Sequence, residues 1–222
     1  MTLVKICGLS QIDHAVAASA AGADFLGMVF AESRRQVTPE RALRIVKALK
    51  RLKSRAKTVG VFAGQSPEDV NRIAEYSGLD RIQLSGGESW DYCLKIERPI
   101  IKSFHISPGT TAEEVIAAIE RGTKVLEQHD VILMLDTKVG NTSGGTGMTF
   151  DWSVAKRVGS RFQVMVAGGL NPDNIARLIE EVRPWAVDVS SGLETAGKKD
   201  KAKIVAFADA VRRFDSRTGG AE

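Results

Sequence analysis

The feature that most constrains this chain is an alternation. Short apolar runs rich in Val, Ile, Leu and Phe recur eight times, at residues 3–7, 25–30, 58–62, 81–84, 100–104, 131–136, 162–167 and 186–189. Continuous apolar runs of this length suit strands buried on both faces, as in a parallel sheet. The segments between them repeat at helical spacing, and several carry start signals. Thr38-Pro39-Glu40 and Ser66-Pro67-Glu68 each place a capping hydroxyl before a proline at the first helical position. Thr111 and Glu114 have capping-box spacing. Single apolar faces follow: Ala42, Ile45, Val46, Leu49 and Leu52; then Val70, Ile73 and Ala74. Ile175, Leu178, Ile179 and Val182 come after Asn171-Pro172, and Ile204, Phe207, Ala208 and Val211 close the chain's pattern. Residues 88–95 are only weakly patterned. Eight such units predict an α/β fold, a single (β/α)8 barrel over residues 1–215, with a loose tail at 216–222. An open doubly wound sheet would want G-x-G-x-x-G after an early strand, but the first strand runs into Cys7-Gly8-Leu9-Ser10.

Charge and cysteine content exclude several classes. Lys plus Arg number 31 and Asp plus Glu 27, a net charge of +4 over 222 residues. That surplus does not predict a nucleic-acid partner; it suits a modest basic site for a small anion. The basic helix over 41–57 has no aromatic interleaving of the kind RNA binding uses. Cys7 and Cys93 are the only cysteines, too few for a disulfide framework. The N-terminus lacks a signal-peptide plan, and no apolar run approaches the roughly 20 residues of a membrane span. The expectation is a cytoplasmic protein with no membrane partner, its oligomeric state not legible. His14, His105 and His129 are scattered without zinc spacing, so no metal is expected and each reads as a surface or helix-face residue.

In a barrel, chemistry sits at the C-terminal ends of the strands. Cys7, Gln83 and Asp136 close strands 1, 4 and 6, with Ser85 just beyond, and Arg34 and Arg35 follow strand 2. Gly168-Gly169 follows strand 7, and Ser190-Ser191-Gly192 follows strand 8. Barrels commonly bind phosphate with those last two loops, where glycine lets backbone N–H groups approach an anion; the plainer reading is tight turns. Cys7 reads either as a small buried hydrophobe or as a thiolate base; Cys93, on a weak helix, reads as packing. Asp136 ends an apolar strand, where desolvation would suit a general acid; the plainer reading is a turn cap. Gly144-Gly145-Thr146-Gly147 lacks the ending of a P-loop and reads as a loop over the site or a surface turn. Alternation puts Lys5 with Cys7 on one face of strand 1, and Asp188 with Ser190 on one face of strand 8. If those faces point inward, Lys5 and Asp188 can pair inside the barrel.

Taken in order, these segments resemble phosphoribosylanthranilate isomerase. Lys5-Ile6-Cys7-Gly8-Leu9-Ser10 is similar to that family's K-I-C-G-[LI]-[TS]. Gly27-Met28-Val29-Phe30 and Ser33-Arg34-Arg35-Gln36-Val37 match G-F-V-F and S-x-R-x-V. Val59-Gly60-Val61-Phe62, Gln83-Leu84-Ser85-Gly86, Asp136-Thr137, the 144–147 glycines and Phe150-Asp151-Trp152 follow in family order. Ala167-Gly168-Gly169-Leu170-Asn171-Pro172, then Asp188-Val189-Ser190-Ser191-Gly192-Leu193-Glu194 with Gly197 and Lys199-Asp200, complete the set.

The resemblance implies a cofactor-free Amadori rearrangement of N-(5-phosphoribosyl)anthranilate to 1-(2-carboxyphenylamino)-1-deoxyribulose 5-phosphate, within tryptophan biosynthesis. Asp136 would protonate the furanose ring oxygen, and Cys7 would take the C2 proton of the opened Schiff base. Arg35 would hold the anthranilate carboxylate, with Gln83 as a further substrate contact. Gly168, Gly169, Ser190, Ser191 and Gly192 would hold the phosphate. Two departures stand out: Ser85 replaces the family's usual histidine, and Arg34 stands where proline or lysine is common. The alternatives are a related phosphosugar isomerase with another aminoaldose substrate, or a non-catalytic phosphometabolite-binding barrel. The histidine-pathway relatives pair two aspartates, which Cys7 argues against; a binding protein would need neither Cys7 nor Asp136.

Overall fold

The computed structural model describes residues 1–137 and 152–218. The strands are β1 (Leu3–Ile6), β2 (Phe25–Val29), β3 (Lys57–Phe62), β4 (Arg81–Leu84), β5 (Ile100–Ile106), β6 (Val131–Thr137), β7 (Val164–Ala167) and β8 (Ala186–Val189). They form a closed parallel barrel in sequence order, with β8 pairing back onto β1. The helices are α1 (Ile12–Ala20), α2 (Pro39–Arg51), α3 (Pro67–Ser77), α4 (Trp90–Cys93), α5 (Ala112–Val125), α6 (Ser153–Gly159), α7 (Ile175–Val182) and α8 (Lys201–Thr218). A small antiparallel hairpin, β9 (Glu194–Thr195) and β10 (Lys198–Lys199), precedes α8. Among the described residues no helix is long and apolar enough to cross a membrane.

The expected caps are formed. The hydroxyls of Thr38 and Ser66 accept from the backbone N–H groups of Arg41 and Asp69, and Thr111 with Glu114 completes a capping box. Two helices lacked a sequence signal. α1 is alanine-rich with no side-chain cap, and α6 begins at Ser153 without one. α7 starts only at Ile175 because Asn171 first folds a turn, its Oδ1 accepting from the N–H groups of Asp173 and Asn174. β7 starts at Val164 rather than 162, because the Phe162 N–H is spent on the Val158 carbonyl at the end of α6. α8 runs on through Thr218, past the boundary expected at 216. Asp215 on its last turns accepts from Thr2 N at 2.7 Å, and Arg212 donates to Thr2 O at 2.9 Å, which ties the helix across the barrel floor. The glycine-rich segment 144–147 lies outside the described residues.

Strand residues alternate between two cores. Phe25, Val59, Ile101, Met134, Met165 and Ala186 fill the barrel interior. Their neighbours, such as Ile6, Met28, Phe62, Ile82, Val166 and Val187, face the helices and pack on residues such as Ile45, Ala74, Ile119 and Leu178. Lys5 and Asp188 fall in the interior row. They are register partners across the β1–β8 seam and pair at 2.9 Å from Lys5 Nζ to Asp188 Oδ1, with Lys5 fully buried. Removing one member of such a pair strands the other charge away from water. Lys5→Met should therefore cost about 3–5 kcal/mol in urea denaturation, with part regained by adding Asp188→Leu. A loss under about 1 kcal/mol would show that the seam does not depend on the pair.

Candidate active site

The inward-facing rows end at the C-terminal mouth. β1 and β8 bring Cys7 and Ser190 there, and the register sets Asp136 of β6 between His105 of β5 and Ala167 of β7. The Cys7 N–H extends the seam by bonding Val189 O at 2.9 Å, and Ser190 Oγ donates to Cys7 O at 3.2 Å.

Cys7 is 7% exposed, and the Lys5 ammonium, two residues earlier on the same face, lies close to its thiol. Burial pushes the thiol up, while Lys5 pulls it back toward the thiolate; Asp188 adds to the rise, and Lys199 opposes it. Burial also works against the Lys5 ammonium, yet Asp188 and Cys7 outweigh it and hold Lys5 above the ordinary lysine value. Gly27 on β2 makes room for this contact. A Cβ there would lie 2.9 Å from Cys7 Sγ and 3.2 Å from Lys5 Nζ, so a side chain would wedge apart the groups that tune the thiol.

The rim on either side of Cys7 is built from the loops after β2 and β8, the strands that flank β1. Glu194 accepts from Arg35 Nε at 2.5 Å, Arg35 Nη2 at 3.1 Å, Arg34 Nη2 at 2.7 Å and Lys199 Nζ at 3.3 Å. Burial alone would raise the Glu194 carboxyl, but Arg35 and Lys199 outweigh it and hold it below the usual carboxylate range. This clamp takes one edge of the Arg35 guanidinium and leaves Nη1 without a hydrogen bond among the described residues. Arg34, the second departure, is mostly in solvent and acts as an outer hand on Glu194.

Gly168 and Gly169 take φ of +102° and +61°, a region L side chains rarely adopt. A 3-10 turn over Ser191–Leu193 follows β8, and Gly192 packs so tightly on the β7 loop that a Cβ would lie 1.9 Å from Leu170 O. The two loops therefore form one surface. Gln83 is buried; its Nε2 donates to Ser85 Oγ at 3.0 Å, and its Oε1 has no donor among the described residues. Ser85 Oγ also pairs with Ser103 Oγ at 3.0 Å. Asp136 keeps 29% of its side chain exposed, less secluded than its apolar strand suggested. Cys93, the last residue of α4, is buried, as packing.

The structure thus gathers Cys7, Asp136, Arg35, Gln83 and the β7 and β8 loops at one end of the barrel. It corrects one reading: His105 is neither a surface nor a helix-face residue. β5 continues to Ile106, which places His105 on the rim, Nδ1 3.5 Å from Asp136 Oδ2. Glu194 and Lys199 appeared in the sequence only inside motifs; nothing local marked Glu194 as the anchor of an arginine 159 residues away.

Comparison with known proteins places the chain in a family. A family profile for N-(5'-phosphoribosyl)anthranilate (PRA) isomerase matches residues 4–210. The curated isomerase of that name from Dehalococcoides mccartyi is 51% identical over 97% of this chain and 98% of its own. That of Desulforudis audaxviator is 43% identical over 96% and 98%. Among solved structures, phosphoribosyl anthranilate isomerase from Thermotoga maritima superimposes with a TM-score of 0.81 at 37% identity, covering 96% of this chain and all of that one. A further structure of phosphoribosyl anthranilate isomerase was solved in complex with reduced 1-(o-carboxyphenylamino)-1-deoxyribulose 5-phosphate; it has a TM-score of 0.78 at 35% identity and covers the same shares. By profile, by sequence and by fold, the chain belongs to the N-(5'-phosphoribosyl)anthranilate isomerase family.

Proposed function

We infer that the chain carries out its family's Amadori rearrangement in tryptophan biosynthesis, with Asp136 as general acid and Cys7 as general base. The observation that carries the assignment is the fully buried Lys5 ammonium set beside Cys7 at the barrel mouth. A merely structural cysteine needs no cation, whereas a thiol that must become a thiolate in a desolvated site does.

The reaction begins at the aminal carbon C1 of the ribose ring. Asp136 gives a proton to the ring oxygen as the C1–O bond breaks, and the anthranilate nitrogen lone pair forms C1=N. The iminium makes the C2 hydrogen acidic. Cys7 removes it, and the electrons move into C1=C2 to give the enolamine. Return of a proton to C1 and loss of the C2 hydroxyl proton yield the ketone, so no net proton is consumed. Lys5 lowers the cost of the thiolate in the middle of this sequence.

The substrate carries an anion at each end. Arg35 takes the anthranilate carboxylate through Nη1, its other edge held by Glu194, so the guanidinium is pre-positioned before binding. The joined β7 and β8 loops, Gly168-Gly169 with Ser190-Ser191-Gly192, take the phosphate through backbone N–H groups. Gln83 Oε1, a buried acceptor, gains its missing donor from a substrate hydroxyl. A small phosphorylated substrate is thus the only partner the site requires, and we place the reaction in the cytoplasm.

The test is an assay that generates N-(5-phosphoribosyl)anthranilate in situ from anthranilate and phosphoribosyl pyrophosphate and follows loss of its fluorescence. Cys7→Ser and Asp136→Asn should each lower kcat by at least about 100-fold while still binding the reduced product analogue. Near-normal turnover in either variant overturns that residue's role. Arg35→Ala should raise KM by about 10-fold or more, consistent with loss of a charge-assisted contact, with a smaller change in kcat. An unchanged KM would remove Arg35 from the carboxylate.

A further inference from the structure

His105 lies in the inward row Ile101, Ser103, His105 of β5, opposite Asp136 in the parallel register. Its Nε2 is 2.8 Å from Ser85 O. A carbonyl oxygen only accepts, so Nε2 must carry the hydrogen, and the bare nitrogen of the neutral ring is then Nδ1. Nδ1 is the atom 3.5 Å from Asp136 Oδ2. A neutral imidazole beside an ionised carboxylate would set two lone pairs against each other. The contact is attractive only when the pair holds one proton, either as imidazole with carboxylic acid or as imidazolium with carboxylate. Apo contacts of this kind are commonly long and tighten when substrate binds.

We propose that His105 is the positioning residue and proton partner of Asp136: through Nδ1 it fixes Oδ2 of the carboxyl and shares the proton that Asp136 delivers to the furanose ring oxygen. The proposal rests on Asp136 being the general acid. The Ser85 carbonyl sets the tautomer, so β4 contributes through its backbone, and the imidazole reaches the rim from the neighbouring strand. The proton leaves the pair when the C1–O bond breaks and the ring oxygen becomes a hydroxyl. It is regained when the C2 hydroxyl of the enolamine gives up its proton and C2=O forms, which closes the cycle.

Among the described residues, the groups around the ring are few. On the β4 side stand Ser85 and Gln83, both uncharged; on the β6 side stands Asp136. Elsewhere in the mouth, the charged or titratable side chains on the inward rows of the described residues are Asp188 with Lys5, and Cys7, beside Lys199. Lys102 and Glu88 lie behind the strand and pair with each other at 3.6 Å.

His105→Gln isolates the Nδ1 contact, because the glutamine amide N–H can still reach the Ser85 carbonyl while nothing replaces Nδ1. Its kcat should fall by about 10- to 100-fold, approaching the lower bound for a positioned proton-transfer group, with KM within about 3-fold of the parent. Histidine-labelled protein followed by 15N NMR supplies a second readout that does not depend on the variant folding well or on turnover. Neutral His105 should show the Nε2–H tautomer, and its titration midpoint should fall in Asp136→Asn, since a neighbouring carboxylate favours the imidazolium. Parental kcat in His105→Gln, an Nδ1–H tautomer, or an unmoved midpoint in Asp136→Asn would each overturn the proposal. If Asp136→Asn is itself active, the general-acid reading falls and this proposal with it; if Asp136→Asn is inactive while His105→Gln is normal, only the proposal falls.

Discussion

One ion pair links the architecture to the chemistry. Lys5 and Asp188 meet inside the barrel across the seam where the last strand closes on the first. Side chains alternate along a strand, so the step that turns Lys5 inward also turns Cys7 inward two residues later. The same holds for Asp188 and Ser190. A shift of one residue in either strand would send that strand's charge into the apolar helix layer and leave the other unpaired in the interior. Correct closure of the barrel and correct placement of the thiol are therefore one event.

The mouth above this pair is divided by charge. On one side a buried carboxylate, Glu194, gathers Arg34, Arg35 and Lys199, and the loops it joins come from opposite ends of the chain. That side presents fixed positive charge to an anionic substrate. The other side holds Asp136 and His105, groups suited to moving a proton rather than to holding an anion. Cys7 stands on the clamp's side, on β1 between β8 and β2, with the Lys5 ammonium close to it. Under the proposed function, binding and proton transfer use separate side chains, so that the substrate would be gripped at its ends while its ring carbons stay open to the acid and the base.

Much of this was legible from sequence because it depended on local pattern. Buried parallel strands have to be apolar throughout, so the eight strands stood out, and capping signals at Thr38, Ser66 and Thr111 marked α2, α3 and α5 between them. The Lys5–Asp188 pair was anticipated from alternation and from the closure of strand 8 onto strand 1, on the condition that both faces point inward. What escaped depended on contacts made far along the chain or on exact element ends. β5 was expected to stop at 104, because His105 breaks the apolar run; the structure carries it to Ile106, since its ladder with β6 continues through His105↔Asp136 and Ile106↔Thr137. That extension turned a presumed surface histidine into a neighbour of the candidate acid. Glu194 could not be singled out because its arginine partners lie about 160 residues earlier. α1 was hidden by its alanines, which favour a helix without drawing a strong apolar stripe.

The seam pair also has a consequence for the order in which the chain is made. Lys5 leaves the ribosome well before its partner, which follows 183 positions later. At about 5–20 residues per second, that is a wait of roughly ten to forty seconds. Through that interval no nascent half-barrel can bury the β1 lysine with its counter-ion in place. The first strand is thus held at the solvent-facing edge of whatever has folded, and its charge discourages premature pairing with a wrong neighbour until β8 arrives.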